Sequence, residues 1–481
     1  VKLTNLMQLY CIKKFMRINR YIIIEKDLKS LCRDHTVALS LMIIWLLLIC
    51  SAIMTYTSWD KERIGELKAK TNFREQWESL HGNPHDAAHF GTYLFKPVNV
   101  LSFFDQGLND YFGSTYRVEA HKQNELEHIK VADSDTVLRF GPLSFALILQ
   151  VLVPLLLFYI TSSSITGEKE SGTWKMLLAQ GMKPITIAWQ KVWSNYILTL
   201  IILLPLCLAF AVMVGLTDNM LLTRFLLLTA CYLLYYFIII LVGVIVSARS
   251  NNSSNALVVL FMIWLLLFVV LPPVLTTMAD KQNPLMSRAT FKNNIEQGFL
   301  KGLNGHDPYF ERGERNIKVL LLKYHVDSLS MLPVDAAGIT MQMNEDYQNK
   351  VFEYYYGQVR QTLNRQQDFL NKTSVLDPFL AIKRISMTAC GTDFYQHDNF
   401  YAQARLYRNE LIRKLNMELA AHPVKTGSYR ASSVFFKSIP DFEYLVPDAE
   451  RVISWQLLPI ISLLIWVFFS AALLHIITKK P

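Results

Sequence analysis

Six windows, each about 20 residues long and almost free of charge, limit what this chain can fold into more than any other feature. They cover residues 36–57, 142–162, 196–216, 222–247, 256–275 and 455–477. The first runs from Ala38 to Met54 without one charged residue, and the fifth stops at Pro272-Pro273. A soluble domain burying six such runs would need an unusually large dry core, whereas each run suits one helical crossing of a bilayer. Only 18% of residues are charged, against about 25% in ordinary soluble domains. That excludes a disordered tail, a coiled coil or an acidic solvating protein. The expectation is an all-α membrane protein with six transmembrane helices. With 35 residues ahead of the first run and no small-x-small site after it, this run is expected to stay rather than be removed as a signal peptide.

The net charge of +9 then becomes a topological signal. Eight basic residues stand in 1–35 (Lys2, Lys13, Lys14, Arg17, Arg20, Lys26, Lys29, Arg33) against Glu25, Asp27 and Asp34. Lys169, Lys175, Lys183 and Lys191 follow the second run, Arg249 follows the fourth, and Lys479 and Lys480 follow the sixth. The positive-inside rule places these segments, and both termini, in the cytoplasm. Residues 58–141 and 276–451 then lie outside and are close to neutral. Once the juxtamembrane charges are accounted for, no clustered basic surface remains, so nucleic acid is not expected as a partner.

This layout makes 1–35 a cytoplasmic amphipathic segment, 58–141 a smaller external domain, 163–195 a cytoplasmic connection and 276–451 a large external domain. The last reads as mainly helical. Phe352, Tyr355, Val359, Leu363 and Leu370 form one apolar stripe in 341–372, and Phe400, Ala404, Tyr407, Leu411 and Leu415 form another in 398–419. Between them, Pro378 starts a short helix expected to run through Ile385, and Gly391-Thr392-Asp393 reads as a turn that caps the next helix. Cys390 is the single external cysteine, so the domain is expected to rest on packing rather than disulfides.

Catalytic signatures are missing. There is no Gly-Lys dipeptide for a phosphate loop, no His-Glu dipeptide for a zinc-protease helix and no Gly-x-Ser-x-Gly elbow. His81, His85 and His89, spaced by four, are weak candidates for a metal; Gly82-Asn83-Pro84 predicts a turn that would break their common face. No metal site is expected. Asp393, His397 and Asp398 read as caps and polar surface. Gln150 in the second run, Asn195 at the start of the third and His475 near the end of the sixth are expected to face a bundle interior.

The most informative stretch runs from Gly167 to Pro184. Glu168 and Glu170 precede a short helix and would favour its positive end. Trp174, Leu177 and Leu178 give that helix one apolar face, and Gly181 ends it. Such a helix can lie on lipid or dock in the groove of a partner.

This stretch resembles the coupling segment of type-2 ABC exporter permeases: an acidic run, Gly-Thr, two leucines and a basic residue. The matching positions are Glu168, Glu170, Gly172, Thr173, Leu177, Leu178 and Lys183, with Lys191 opening the third span and Trp174 counted in the same coupling stretch. Residues 332–338, 385–394, 407–416 and 89–97 resemble the branch that carries a large external domain of uncharacterised function. The resemblance implies a permease, not an enzyme, in a bacterial inner membrane. It would partner an ABC ATPase subunit that holds ATP and Mg, with no cofactor on this chain, and a second permease chain, identical or paralogous. Gly391, Thr392 and Asp393 form its external motif. A periplasmic partner fits a force-transmitting version of the same complex, and a membrane-anchored hydrolase with its chemistry in 276–451 is the alternative of a different class. One departure stands out: these permeases usually have a short re-entrant element between spans five and six, and here 176 residues stand in that place.

Overall fold

The computed structural model describes residues 22–127, 144–216, 219–424 and 427–479. Lys2, Lys13, Lys14, Arg17, Arg20, Cys11, Lys480 and the first two residues of the second expected span lie outside the described residues. The described chain is mostly helical: α1 Ile22–Arg33, α2 His35–Ser79, α3 Pro84–Phe90, α4 Phe145–Glu170, α5 Thr173–Ala179, α6 Pro184–Gly215, α7 Asn219–Arg249 and α8 Ser253–Gln282. Then follow α9 Arg288–Lys301, α10 Tyr309–Tyr324, α11 Ala336–Thr373, α12 Pro378–Cys390, α13 Phe394–Ala421, α14 Ser433–Ser438 and α15 Ala449–Lys479. The strands Thr92–Phe95 and Thr115–Val118 (β1, β2) pair antiparallel, Thr92 opposite Val118 and Phe95 opposite Thr115. This hairpin corrects the all-α expectation. Both strands are short and rich in threonine and aromatics, which suit a pleated, half-buried surface.

Among the described residues, five helices (α2, α4, α7, α8, α15) are long and apolar enough to cross a membrane, and α6 makes six when its two arms count as one. Those arms meet at 41° between Ile201 and Leu203, near Pro205, which cannot donate its backbone N–H and clashes with the preceding turn. In α4, a π-turn at Ile148–Leu152 loosens the carbonyl ladder. Tyr236, Tyr235 and Trp264 donate to the carbonyls of Leu149 (2.7 Å), Gln150 (2.8 Å) and Val151 (3.1 Å). Three helix faces are thereby tied together by side-chain donors inside an apolar core. The Gln150 amide itself donates to the Tyr232 hydroxyl at 2.8 Å, and that of Asn195 to Ser164 at 3.1 Å, as interior residues should. His475 departs from expectation and is exposed on α15.

The boundaries at 57/58 and 275/276 fall inside continuous helices that run on past the apolar windows. Beyond residue 57, α2 runs on to Ser79, about 67 Å in all, and α8 continues past 275 to Gln282. The far end of α2 docks through Trp77, whose indole donates to the Phe436 carbonyl at 3.1 Å.

The two long inserts are not separate domains. Trp77, Ala88, Leu94, Tyr116 and Val118 from the first share one core with Phe352, Phe400, Leu411, Leu415 and Phe436 from the second. Both apolar stripes lie on the expected helices, α11 and α13. Between these helices, a Cβ on Gly338 would sit 2.6 Å from Ala420 N and 2.7 Å from Asn416 O, backbone atoms that cannot yield cheaply. Gly338→Ala is expected to cost about 1–3 kcal/mol, readable as a lowered unfolding midpoint of this domain.

The re-entrant element that the long insert was expected to replace has a counterpart within that insert. The end of α11, a turn at Ser374–Leu376 and α12 form a hairpin that enters the helical bundle beside α7 and α15. Ser462 donates to the Ser374 carbonyl at 2.8 Å, and Trp466 to that of Val375 at 2.9 Å, so the tip reaches the middle of α15. α12 extends to Cys390 rather than Ile385, and eleven of its 13 residues are buried. Phe379, Ile382, Ile385 and Cys390 belong to the bundle core.

Candidate functional site

Two regions concentrate polar chemistry, one at each end of the bundle. At the loop end, the connection between α4 and α6 is strapped to four other elements. The Ser247 hydroxyl accepts from the backbone N–H of Ile165 (2.9 Å) and Thr166 (3.1 Å), and donates to the Ser162 carbonyl (2.9 Å). The Lys169 ammonium donates to the carbonyls of Ala248 (2.7 Å) and Ser250 (2.9 Å), closing the end of α7. Glu170 accepts from the Ser253 N–H (2.7 Å) and hydroxyl (2.8 Å) at the start of α8.

Glu168 is buried and bonds Lys191 on α6 at 2.7 Å, Lys26 on α1 at 2.9 Å, and the Thr173 hydroxyl. Lys191 in turn meets Asp27 of α1 at 2.8 Å. The expectation that Glu168 and Glu170 serve the dipole of the short helix is thereby corrected. Glu168 finds buried cations, and Glu170 serves the N-terminus of a different helix, α8.

What this frame presents is α5. Gly172 adopts a left-handed conformation (φ 75°) with open space around it, so backbone freedom alone asks for glycine there. Met182 N–H donates to the Leu177 carbonyl (3.2 Å) and Gly181 N–H to that of Leu178 (2.9 Å), a Schellman close with Gly181 at φ 83°. No residue of α5 is buried. Trp174 leans on the bundle core, Leu177 and Leu178 are half-buried, and Lys175, Met176, Ala179 and Lys183 face outward. Glu168, Glu170 and Thr173 thus build the frame, while the outward residues form the surface open to a partner.

At the opposite end lies a buried polar junction. Lys96 donates to the Gly391 carbonyl (3.0 Å), Asn109 Oδ1 (3.2 Å) and His397 Nε2 (3.2 Å). Burial pushes its ammonium down to about 7 and holds His397 well below the usual histidine range. Asp393 caps α13 by accepting from Gln396 N–H (3.0 Å), and its other oxygen accepts from the Thr388 hydroxyl (2.6 Å). Burial raises the Asp393 carboxyl above its usual range. The Arg224 guanidinium of α7 reaches the Thr388 carbonyl at 2.8 Å, and Gln456 of α15 reaches the Thr388 hydroxyl at 2.7 Å. Leu108 N–H donates to the Thr392 carbonyl at 2.8 Å.

Gly391, Thr392 and Asp393 therefore form the knot where both inserts and two apolar helices meet. Gly391 is the left-handed cap of α12, at φ 77°. His397 and Asp398, read as polar surface, are buried, Asp398 accepting from Arg360 at 2.7 Å. Beside the knot, a cleft of about 610 Å³ runs between the extension of α2 and the first insert, with Lys96 and His397 in its wall. Sequence reasoning missed Lys96, Arg224 and Gln456, and read Lys191 as the charge that opens the third span rather than as the partner of Glu168. The one readable signal was a charge or amide at the edge of an apolar run.

The histidines fall differently from expectation. Pro84 occupies the first turn of α3, where a missing N–H costs nothing, and Asn83 caps it. His85 and His89 therefore share a face, with their Nε2 atoms 3.1 Å apart. His81 precedes the helix. His121, from the turn after β2, completes a group of three whose ligand atoms all lie within 4.8 Å of one another.

Long apolar helices joined around a bundle core define a multi-pass membrane protein. Residues 134–287 match the family model described as ABC-2 family transporter protein, and residues 288–445 match a domain of unknown function (DUF3526). The chain thus carries an ABC-2 family transporter domain followed by a domain of unknown function, an order consistent with an ABC-2 type permease with an extra domain. The first match covers α4–α8, and the second starts with α9 and ends just before α15. No curated protein matches the chain. The first match points to a transport component rather than an enzyme, and that family implies an ABC ATPase and a membrane as partners.

Proposed function

We propose that this chain is the membrane-spanning subunit of an ATP-driven exporter, and that a separate subunit binding ATP and Mg docks on α5. The observation that carries this reading is the contrast at the loop end. α5 has no buried residue, yet its base is bonded to α1, α6, α7 and α8 through Glu168, Lys169, Glu170 and Ser247. A push on α5 therefore displaces four helices together, which is what coupling between two states of a bundle requires. The charge asymmetry of the sequence supports a cytoplasmic loop end in a bacterial inner membrane, with both inserts outside. A second permease chain, identical or paralogous, would share with lipid the exposed apolar faces of α2, α8 and α15 (Met42, Phe261 and Phe468 among them).

Met176 is 61% exposed at the centre of the docking face. Met176→Glu is expected to weaken assembly with the ATPase subunit at least tenfold and to abolish permease-stimulated ATP turnover, leaving the melting temperature unchanged. Normal assembly and turnover in this variant would sink the docking claim.

A force-transmitting complex that moves the outer domain without carrying substrate is favoured by one observation. Hydrogen bonds run from Gln150 through Tyr232 (2.8 Å) and Ser386 (3.4 Å) to Asp105 (2.5 Å), and so from an apolar helix into the first insert. ATP-driven motion of the domain without substrate movement across the bilayer would select this reading.

A further inference from the structure

Three imidazoles converge beside the hairpin of the first insert, and neither the permease reading nor the junction uses them. His85 and His89 come from one face of α3, and His121 comes from the turn that follows β2. Their ring centroids lie 4.6, 5.3 and 5.3 Å apart, a nearly symmetric tripod. The 3.1 Å between the Nε2 atoms of His85 and His89 is close to the roughly 3.3 Å edge of a tetrahedron of nitrogens around a cation at 2.0–2.1 Å.

The third member is held in place by a partner of its own. His121 Nδ1 lies 3.0 Å from Glu345 Oε1, so the ring's other nitrogen is left for the cluster. The same carboxylate accepts the His121 backbone N–H at 2.5 Å, and the Gln348 amide donates to the His121 carbonyl at 2.7 Å. Glu345 is itself fixed by Arg408 at 2.8 Å. A carboxylate that orients an imidazole from behind is the arrangement by which proteins set the tautomer and aim of a metal-binding histidine.

The backbone adds an independent sign. His121 sits at φ 58°, a left-handed conformation that few residues other than glycine adopt, and it is one of two such non-glycine positions among the described residues. Strain of this kind persists only where the surroundings hold it, here through three hydrogen bonds that converge on one histidine. The buried Nδ1 of His85 has no partner and its Nε2 meets the Nε2 of His89 at 3.1 Å, so its tautomer rests on that contact. A cation bound at Nε2 would fix it.

We infer that His85, His89 and His121 form a binding site for a borderline divalent transition-metal cation of the Zn2+ type, with Glu345 positioning His121. Three neutral nitrogen donors without thiolate or carboxylate suit such a cation and reject Mg2+ and Ca2+, which require oxygen. The group offers three ligands, so a fourth position falls to water or to an incoming ligand. His89 and His121 are exposed, which leaves a route for entry. Occupancy would tie α3 to the β2 turn and, through Glu345, to α11, adding a link to the core that already joins the two inserts. The inference stands apart from the permease reading and survives its failure.

The test uses the full chain, chelator-treated, free of any polyhistidine tag and held in nanodiscs. Calorimetric titration with Zn2+ is expected to show one site per chain, and loading with Co2+ to give the visible bands of a four-coordinate nitrogen site. His89→Ala and His121→Asn are each expected to lower Zn2+ affinity about 100-fold or more and to erase the Co2+ bands. Asparagine tolerates the left-handed conformation, so the second variant keeps the turn. His81→Ala should bind as the unmodified chain does, and excess Mg2+ should displace nothing. Absence of a one-to-one site, wild-type affinity in both ligand variants, or an equal loss in His81→Ala would overturn the inference.

Discussion

Replacing Arg408 with alanine is expected to loosen the domain built from the two inserts by about 3–5 kcal/mol, the usual cost of leaving a buried charge without its partner. The Arg408 and Glu345 side chains are each about 1% exposed and meet at 2.8 Å. Arg408 also donates twice to the Glu119 carbonyl, at 3.1 and 3.0 Å, and to Asn349 at 3.0 Å. One guanidinium on α13 thus holds the end of β2 and the middle of α11. Burial alone would raise the Glu345 carboxyl, but the bonds from His121 and the Arg408 charge outweigh it and leave Glu345 below its usual range. Without Arg408 the carboxylate keeps only the His121 side, and the Glu119 carbonyl loses both donors. Stabilities of whole domains are 5–15 kcal/mol, so the loss is a large share. Amide exchange over 88–120 should accelerate by about two to three orders of magnitude while the apolar helices keep their protection. The double variant Arg408→Met, Glu345→Met should recover part of the loss, because it leaves no unpaired charge. Unchanged exchange in Arg408→Ala would show that the pair does not hold the two inserts together.

The sequence disclosed elements whose signal is local. The apolar runs are continuous, the stripes of α11 and α13 repeat at helical spacing, and the turn at Gly391 and Asp393 uses residue types chosen by backbone geometry. What stayed hidden depends on distant partners. Glu168 reads as a dipole residue because Lys26 is 142 positions away and Lys191 is 23 away. α12 reads as an ordinary short helix because Arg384 interrupts its apolar pattern. That arginine is buried against Asn371 and Gln367 on the facing arm of the hairpin, which removes its cost inside the bundle. The histidine triad was half legible: the i, i+4 pair is written in the sequence, but Pro84 reads as a breaker until it is seen in the first turn. His121 comes from another element altogether.

Glu168→Ala is expected to be the most damaging single change at the loop end, at about 3 kcal/mol, and to act on coupling as well as on stability. Lys191 is 6% exposed and would keep Asp27 alone, at 2.8 Å, while Thr173 would lose the carboxylate that anchors the start of α5. Because both members of the central pair are buried, added salt should screen the interaction little. Glu168 and Asp27 with Lys26 and Lys191 form a four-charge cluster joining α1, α4 and α6, so α1 should detach first. Limited proteolysis within 22–33 should then rise sharply, with the opposite end of the molecule unaffected. Glu170→Ala gives the contrast, since Glu170 is exposed and bonds only the first residue of α8. If α5 transmits the push of an ATPase, Glu168→Ala should let the ATPase subunit bind but sever its turnover from the motion of the bundle, whereas Met176→Glu should prevent binding itself. Loss of binding in Glu168→Ala with α5 intact would instead place Glu168 on the docking surface, contrary to its burial. The two variants thus separate the contact face of α5 from the frame that carries its movement.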